Sequence, residues 1–179
     1  MRVARFVRSF VARVGADRVR PEVPPVTITD RNGRELFVRL YRESDFDSLA
    51  KMYDAFDPEH RGQGTPPVDP TAVRRWLRDI LDGVNVLAVH DDRIVGHVSF
   101  VPDGTGRHEL AVFVHHEYHG AGIGTRLLAA GLGRAREAGV EYVWLSVRAD
   151  RPRLQRFYGR AGFSTVNAMG MTHRMSRYL

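Results

Sequence analysis

Apolar residues in this chain alternate between a two-residue and a helical spacing, and the points where the spacing changes mark its elements. Val3, Phe6, Val7, Phe10, Val11 and Val14 recur at helical spacing with arginines mostly on the other face, which predicts a basic amphipathic helix. Pro21, Pro24 and Pro25 then read as a stiff linker, so residues 1–25 form an arm and residues 34–179 a single domain. Within the domain the pattern predicts a strand over Leu36–Arg42, a helix capped by Ser44 and running to Phe56, and a Gly/Pro-rich loop from Asp57 to Asp69. A helix from Pro70 to Leu81 follows, capped by Asp69. Strands Asn85–His90 and Ile94–Pro102 are joined at Asp91-Asp92, and a turn at Asp103-Gly104-Thr105-Gly106 leads into the next strand.

That next stretch, Glu109 to Arg126, carries the most information. Leu110, Val112 and Val114 point one way and Ala111 and Phe113 the other, so both faces are apolar and the strand reads as central and buried. Gly120, Gly122 and Gly124 remove three Cβ atoms and let backbone N–H groups turn toward one point. Ile123, Leu127, Leu128 and Ala135 place those glycines at the start of a helix running to Ala138. Exposed donors and the positive end of a helix dipole meet there, forming a cradle for an anion such as a pyrophosphate. The rest reads as a strand Tyr142–Val147, a helix Pro152–Ala161 and strands near Ser164–Ala168 and Met171–Arg177. The fold class is therefore α/β with a mixed sheet, in the order βααβββαβαββ.

Two familiar nucleotide signatures fail here. A dinucleotide fingerprint needs a third glycine at Thr125 or Leu127 and an acidic residue near Val147 or Arg148, and a Walker loop needs Gly-Lys-Ser/Thr after the turn.

Charge and composition narrow the picture further. The 179 residues carry a net charge of +6, but the first 20 hold six arginines against Asp17 alone, so five of those charges sit in the arm. The domain itself is nearly neutral, which argues against a nucleic-acid partner and leaves the arm to dock on protein or to make peripheral contact with an anionic membrane through residues 1–20. The absence of cysteine excludes disulfides, thiolate metal sites and a cysteine nucleophile, and is compatible with a cytoplasmic location. No apolar run reaches membrane-spanning length. His115, His116 and His119 do not form a metal motif: His-Glu-x-His is one residue short of zinc-protease spacing, and His115 and His116 would face opposite ways on a continuing strand.

The glycine turn, His119-Gly-Ala-Gly-Ile-Gly124, resembles the Arg/Gln-x-x-Gly-x-Gly/Ala signature of the GNAT superfamily of N-acetyltransferases, with His119 at its first position. The stretch Leu145 to Phe163, closing with Phe157-Tyr158 and Gly162-Phe163, resembles that family's later strand–helix segment, with Arg151 where an asparagine is common. The resemblance covers Leu36 to Arg177. It implies the GNAT fold and an acetyl group moved from acetyl-CoA to a primary amine, on a small molecule or a protein, by direct attack in a ternary complex without a metal. It also implies that His119, Gly120, Ala121, Gly122, Ile123, Gly124, Thr125 and Arg126 bind the pyrophosphate region, that the backbone of Phe113 and Val114 pairs with the pantetheine arm, and that a homodimer is plausible. Arg153, Arg156 and Arg160 are exposed by spacing and within reach of a 3′-phosphate.

Thioester aminolysis needs a base for the amine and an acid for the departing sulfur. By spacing alone Tyr158 belongs with Leu154, Phe157 and Ala161 on an apolar face and reads as core; the resemblance assigns it the acid. Glu109, opening the central strand, is the candidate base, directly or through water, with His108 and His97 as neighbouring substitutes. Trp76 and Trp144 read as core, and Tyr53, Asp54, Asp57 and Glu59 as walls that attract a cationic amine. The rival reading is an acyl-CoA-binding module without catalysis, recruited by its basic helix.

Overall fold

A computed structural model describes residues 19–57, 61 and 65–179. The expected amphipathic helix, and Glu59, lie outside the described residues. The chain folds as β1 (Val26–Thr29), β2 (Glu35–Leu40), α1 (Phe46–Asp54), α2 (Pro70–Ile80), β3 (Val84–His90), β4 (Arg93–Pro102), β5 (His108–Val114), α3 (Ile123–Glu137), β6 (Tyr142–Arg148), α4 (Pro152–Arg160), β7 (Ser164–Asn167) and β8 (Thr172–Tyr178). The strands form one eight-stranded sheet in the order β1-β2-β3-β4-β5-β6-β8-β7. Neighbours are antiparallel except β5 and β6, which run parallel.

Alternation along the strands divides the core in two. On β3, Val86 and Ala88 face α3 and join Leu127, Leu128 and Leu132, whereas Leu87 joins Leu49, Tyr53, Val73 and Leu77 of α1 and α2. Each such fully buried aliphatic side chain contributes roughly 1.5–3 kcal/mol of transfer free energy. Asp69 caps α2 as the sequence predicts, its carboxylate accepting from the N–H of Ala72 at 2.8 Å with Pro70 opening the helix.

Three local differences have physical causes. Residues 26–33, between the expected linker and the expected domain, supply β1, which pairs with β2 from Val26–Val38 to Thr29–Glu35, so the folded unit starts ahead of residue 34. Upstream of β1, the Glu22 N–H donates to Ala129 O, and Gly133 admits that backbone: a Cβ there would lie 2.3 Å from Glu22 O. Ser44 is not a cap; it sits inside a 3-10 turn, Glu43–Asp45, that leads into α1. Asp45 is the N-cap position of α1 without a side-chain cap bond to it; its carboxylate instead closes the 3-10 turn, accepting from the Arg42 N–H at 2.8 Å and from both terminal nitrogens of Arg39 at 2.7 and 2.8 Å. The charge-assisted Arg39 pair holds the Asp45 carboxyl below its ordinary range.

Candidate active site

The functional opening arises where the sheet comes apart. β5 pairs with β6 at His108–Val143 and Glu109–Trp144 and then diverges, while β6 stays paired with β8 along its whole length. From Leu110 onward β5 therefore has an edge, and Ala111 to Val114 are half-buried rather than enclosed on both faces as the apolar pattern predicts. A cleft of about 480 Å³ fills the divergence, running from Val112 and Val114 past the glycine turn to Leu154, Phe157 and Tyr158 of α4.

Strand alternation decides which backbone groups face this cleft. His115 donates its N–H to Val95 O on β4, so the polar groups of Phe113 also point to β4 and those of Val112 and Val114 point into the opening. Of the two residues expected to pair with a pantetheine arm, Val114 offers its backbone there and Phe113 does not; Val112 shares that edge with Val114. The Phe113 ring lies on the opposite face against Tyr53 and Trp76, with centroids 5.3 and 5.6 Å apart. The carbonyl of Val114 already accepts a hydrogen bond from His119 Nε2 at 2.7 Å.

The turn that follows forms a cradle with open donors. Gly120 and Gly122 adopt left-handed φ values of 76° and 86°, and Gly122 as the N-cap brings no side chain to the first turn of α3. Ala121 and Ile123 are buried beneath the turn and anchor it. Its outer side is braced by the β1–β2 turn: Arg34 lies 4.1 Å from the Tyr118 ring centre while pairing with Asp30 at 2.7 Å, and Tyr118 shares a hydrogen bond with His90 at 2.9 Å. Thr125 and Arg126 are exposed on the first turn of α3, and Arg126 pairs with Glu22 at 3.1 Å. The strand ends at Val114, so the His115 and His116 rings stack at 4.2 Å instead of facing opposite ways.

Tyr158 closes the far wall of the cleft. Although Tyr158 is half-buried rather than enclosed, desolvation pushes its phenol up to about 12, so it holds its proton throughout the neutral range. Gln155, which the sequence reading passed over, fixes the approach to α4 by donating to the carbonyls of Arg148 and Ala149. Arg151, the N-cap of α4, and Arg156 on the helix are exposed, and Arg153 reaches the cleft.

Glu109 sits where β5 and β6 still touch, in register with Trp144. The residue is exposed, yet partial desolvation raises its pKa, Arg174 opposes that shift, and Asp103 adds to it. Trp144 is half-buried rather than core: Arg174 lies 3.9 Å over its ring and its indole N–H donates to Asp103 at 2.8 Å. His97 is removed from the list of bases. It is fully buried, burial holds its pKa to about 3, and Asn85 and Tyr53 occupy both ring nitrogens at 2.9 and 2.7 Å. Since the Asn85 amide nitrogen donates to Leu81 O and Gly83 O, its oxygen faces His97; Nε2 therefore carries the proton and Nδ1 accepts from the Tyr53 hydroxyl. The same bond takes Tyr53 out of the acceptor wall, leaving exposed Asp54 and half-buried Asp57 beside it. His108 is half-buried at the strand start.

A mixed sheet split between two parallel strands, with a glycine turn and a helix N-terminus at the mouth of the split, is the architecture of an acyltransferase fold. Residues 49–163 match the acetyltransferase (GNAT) family model, and the chain belongs to that family. A mycothiol acetyltransferase of Propionibacterium freudenreichii is 34% identical over 133 residues, covering 71% of this chain and 42% of that protein. An uncharacterized N-acetyltransferase of Mycobacterium tuberculosis is 36% identical over 77 residues, 42% of this chain and 49% of that one, so the chain spans less than half of either relative. In fold, the GNAT domain of S. lividans PAT superposes with a TM-score of 0.73 at 20% identity, over 88% of this chain and 100% of that one. Among the described residues no helix is long and apolar enough to cross a membrane.

Proposed function

We propose that this protein transfers an acetyl group from acetyl-CoA to a primary amine by direct attack in a ternary complex. The observation that carries the reading is the β5–β6 divergence, which leaves the backbone of Val112 and Val114 facing a cleft that leads to the open first turn of α3. The residues present suit the co-substrate. Left-handed Gly120 and Gly122 with the amides of Ile123 and Gly124 suit the pyrophosphate, and the free edge of β5 suits a pantetheine arm laid beside it as an extra strand. His119 must release the Val114 carbonyl for that strand to form along its full length.

Glu109 receives the proton that the amine loses as its nitrogen bonds to the thioester carbon, directly or through water. The C–S bond breaks, and Tyr158 gives its proton to the departing sulfur. The raised pKa of Tyr158 makes it a weak acid at rest but keeps it fully protonated for this step. The acceptor enters from the side where Glu109, Trp144 and Arg174 meet. The mycothiol acetyltransferase among the relatives supports a small-molecule acceptor, and a screen of small amines and peptide N-termini is the appropriate search.

The test is steady-state turnover with acetyl-CoA across that screen, beside Tyr158→Phe. Turnover with intersecting double-reciprocal lines, reduced about 10²–10⁴-fold in the variant with acetyl-CoA binding kept, is the expected result. Acetyl-CoA binding without turnover on any amine, indifferent to Tyr158→Phe, would favour the non-catalytic binding module instead.

A further inference from the structure

We infer that Arg31, from the turn between β1 and β2, holds a phosphate group of the acyl donor, as a cation brought to the glycine cradle from outside the family's motif. The inference rests on the acyl-CoA reading above and adds a binding residue to it. In a sheet whose first five strands alternate in direction, the β1–β2 turn lies at the same end as the C-terminus of β5, beside the glycine turn. The structure ties the two together: the Arg31 N–H donates to Ala121 O at 3.0 Å, and the Arg31 side chain lies over Gly122, where an added Cβ would be 3.6 Å from Nε.

Between them is a second cavity of about 250 Å³, with Arg31 and Arg126 on its walls and Gly122 and Thr125 at the helix start. It shares Gly122 and Ile123 with the main cleft, so the two meet at the cradle. The charges are unevenly matched. Asp30 is taken by Arg34 at 2.7 Å and Glu22 by Arg126 at 3.1 Å, and among the described residues no carboxylate pairs with Arg31. An exposed guanidinium against uncapped helix amides has no internal anion to satisfy it, and its planar donors suit a phosphate. His119, at the motif position that would carry such a donor, directs Nε2 at the Val114 carbonyl instead.

The test is calorimetric titration of CoA and of dephospho-CoA, which lacks the 3′-phosphate, into the full chain and its Arg31→Ala, Arg31→Lys and Arg75→Ala variants. Arg31→Ala should weaken CoA binding about tenfold, the scale of one charge-assisted contact, with Arg31→Lys keeping most of the affinity. Arg75→Ala removes the same charge from α2 and should stay within about twofold of the parent. An equal loss for both ligands assigns Arg31 to the pyrophosphate; a loss seen with CoA alone assigns it to the 3′-phosphate. A parent that binds CoA while Arg31→Ala binds each ligand as tightly as the parent does overturns the inference, as does an Arg75→Ala loss as large as that of Arg31→Ala. A folded parent that binds neither ligand overturns the acyl-CoA reading first and this inference with it.

Discussion

The two halves of the sheet on either side of the β5–β6 divergence are built differently. On the β1–β5 side, α1, α2 and α3 cover both faces, and β3 and β4 are almost wholly buried. On the β6–β8 side, α4 buries no residue, β7 is exposed throughout, and Met169 and Met171 in the connecting turn are 83% and 87% exposed. Close-packed interiors resist deformation, whereas segments with few buried contacts open at low free-energy cost. The first half is thus a frame that carries the cradle, whereas in the second the sheet is anchored by Val143, Leu145, Val147 and Met175 and its light wall is α4, which carries Tyr158, with β7 beyond it.

Substitutions should separate frame from wall. The largest effect is expected from Tyr158→Phe on the light wall: a kcat loss of about 10²–10⁴-fold, with the melting temperature unchanged, read by turnover and thermal unfolding side by side. Removing a methyl-rich side chain from the frame should do the reverse. Leu127→Ala should cost about 2–5 kcal/mol in denaturant unfolding while acetyl-CoA affinity in the folded fraction holds. Comparable stability losses from both substitutions would erase the distinction between the halves.

The buried His97 gives the frame a pH signature. Its folded pKa of about 3 lies below the ordinary value of about 6.5, so the unfolded chain binds the extra proton first. Its contribution is complete above the ordinary value and is lost as pH falls toward 3, at about 1.4 kcal/mol per pH unit. His97→Gln should therefore be less stable at pH 7 yet show a flatter stability profile between pH 6 and 4 in urea titrations. At the small end, Met171→Ser in the exposed turn should change stability by less than about 0.5 kcal/mol. A larger loss would mean that the light wall is packed against something in solution.

Glu109 sharpens the chemical side of the comparison. Its pKa is raised by partial desolvation, so the acid limb of kcat/KM should fall above the ordinary carboxylate range, with activity rising as Glu109 loses its proton. Glu109→Gln should remove that limb from the pH–rate profile; a limb that persists unchanged assigns it to another group.

Much of the frame was legible in the sequence because its signals are local. Asp69-Pro70 opens α2 where expected, Asp91 and Asp92 turn the β3–β4 hairpin with positive φ, and the glycines fall where α3 begins. β1 escaped because four residues after a run of prolines are too few for a period to assert itself, although the Asn32-Gly33 turn that folds it onto β2 was there to read. The opening itself was not legible. Apolar residues on both faces of β5 show that it lies inside the sheet, but no periodicity records how many residues it shares with β6. The His119–Val114 bond and the Arg31–Gly122 contact likewise join residues whose meeting depends on loop geometry rather than on spacing.

The most direct test of the central claim, that the cradle and the β5–β6 opening receive acetyl-CoA, is calorimetric titration of acetyl-CoA into the full chain and into Gly122→Glu. A side chain at that left-handed position puts a carboxylate where the pyrophosphate belongs. The account predicts one-to-one binding by the parent that is lost in a variant retaining its far-ultraviolet spectrum. Absent binding by the folded parent, or undiminished binding by the variant, would contradict it.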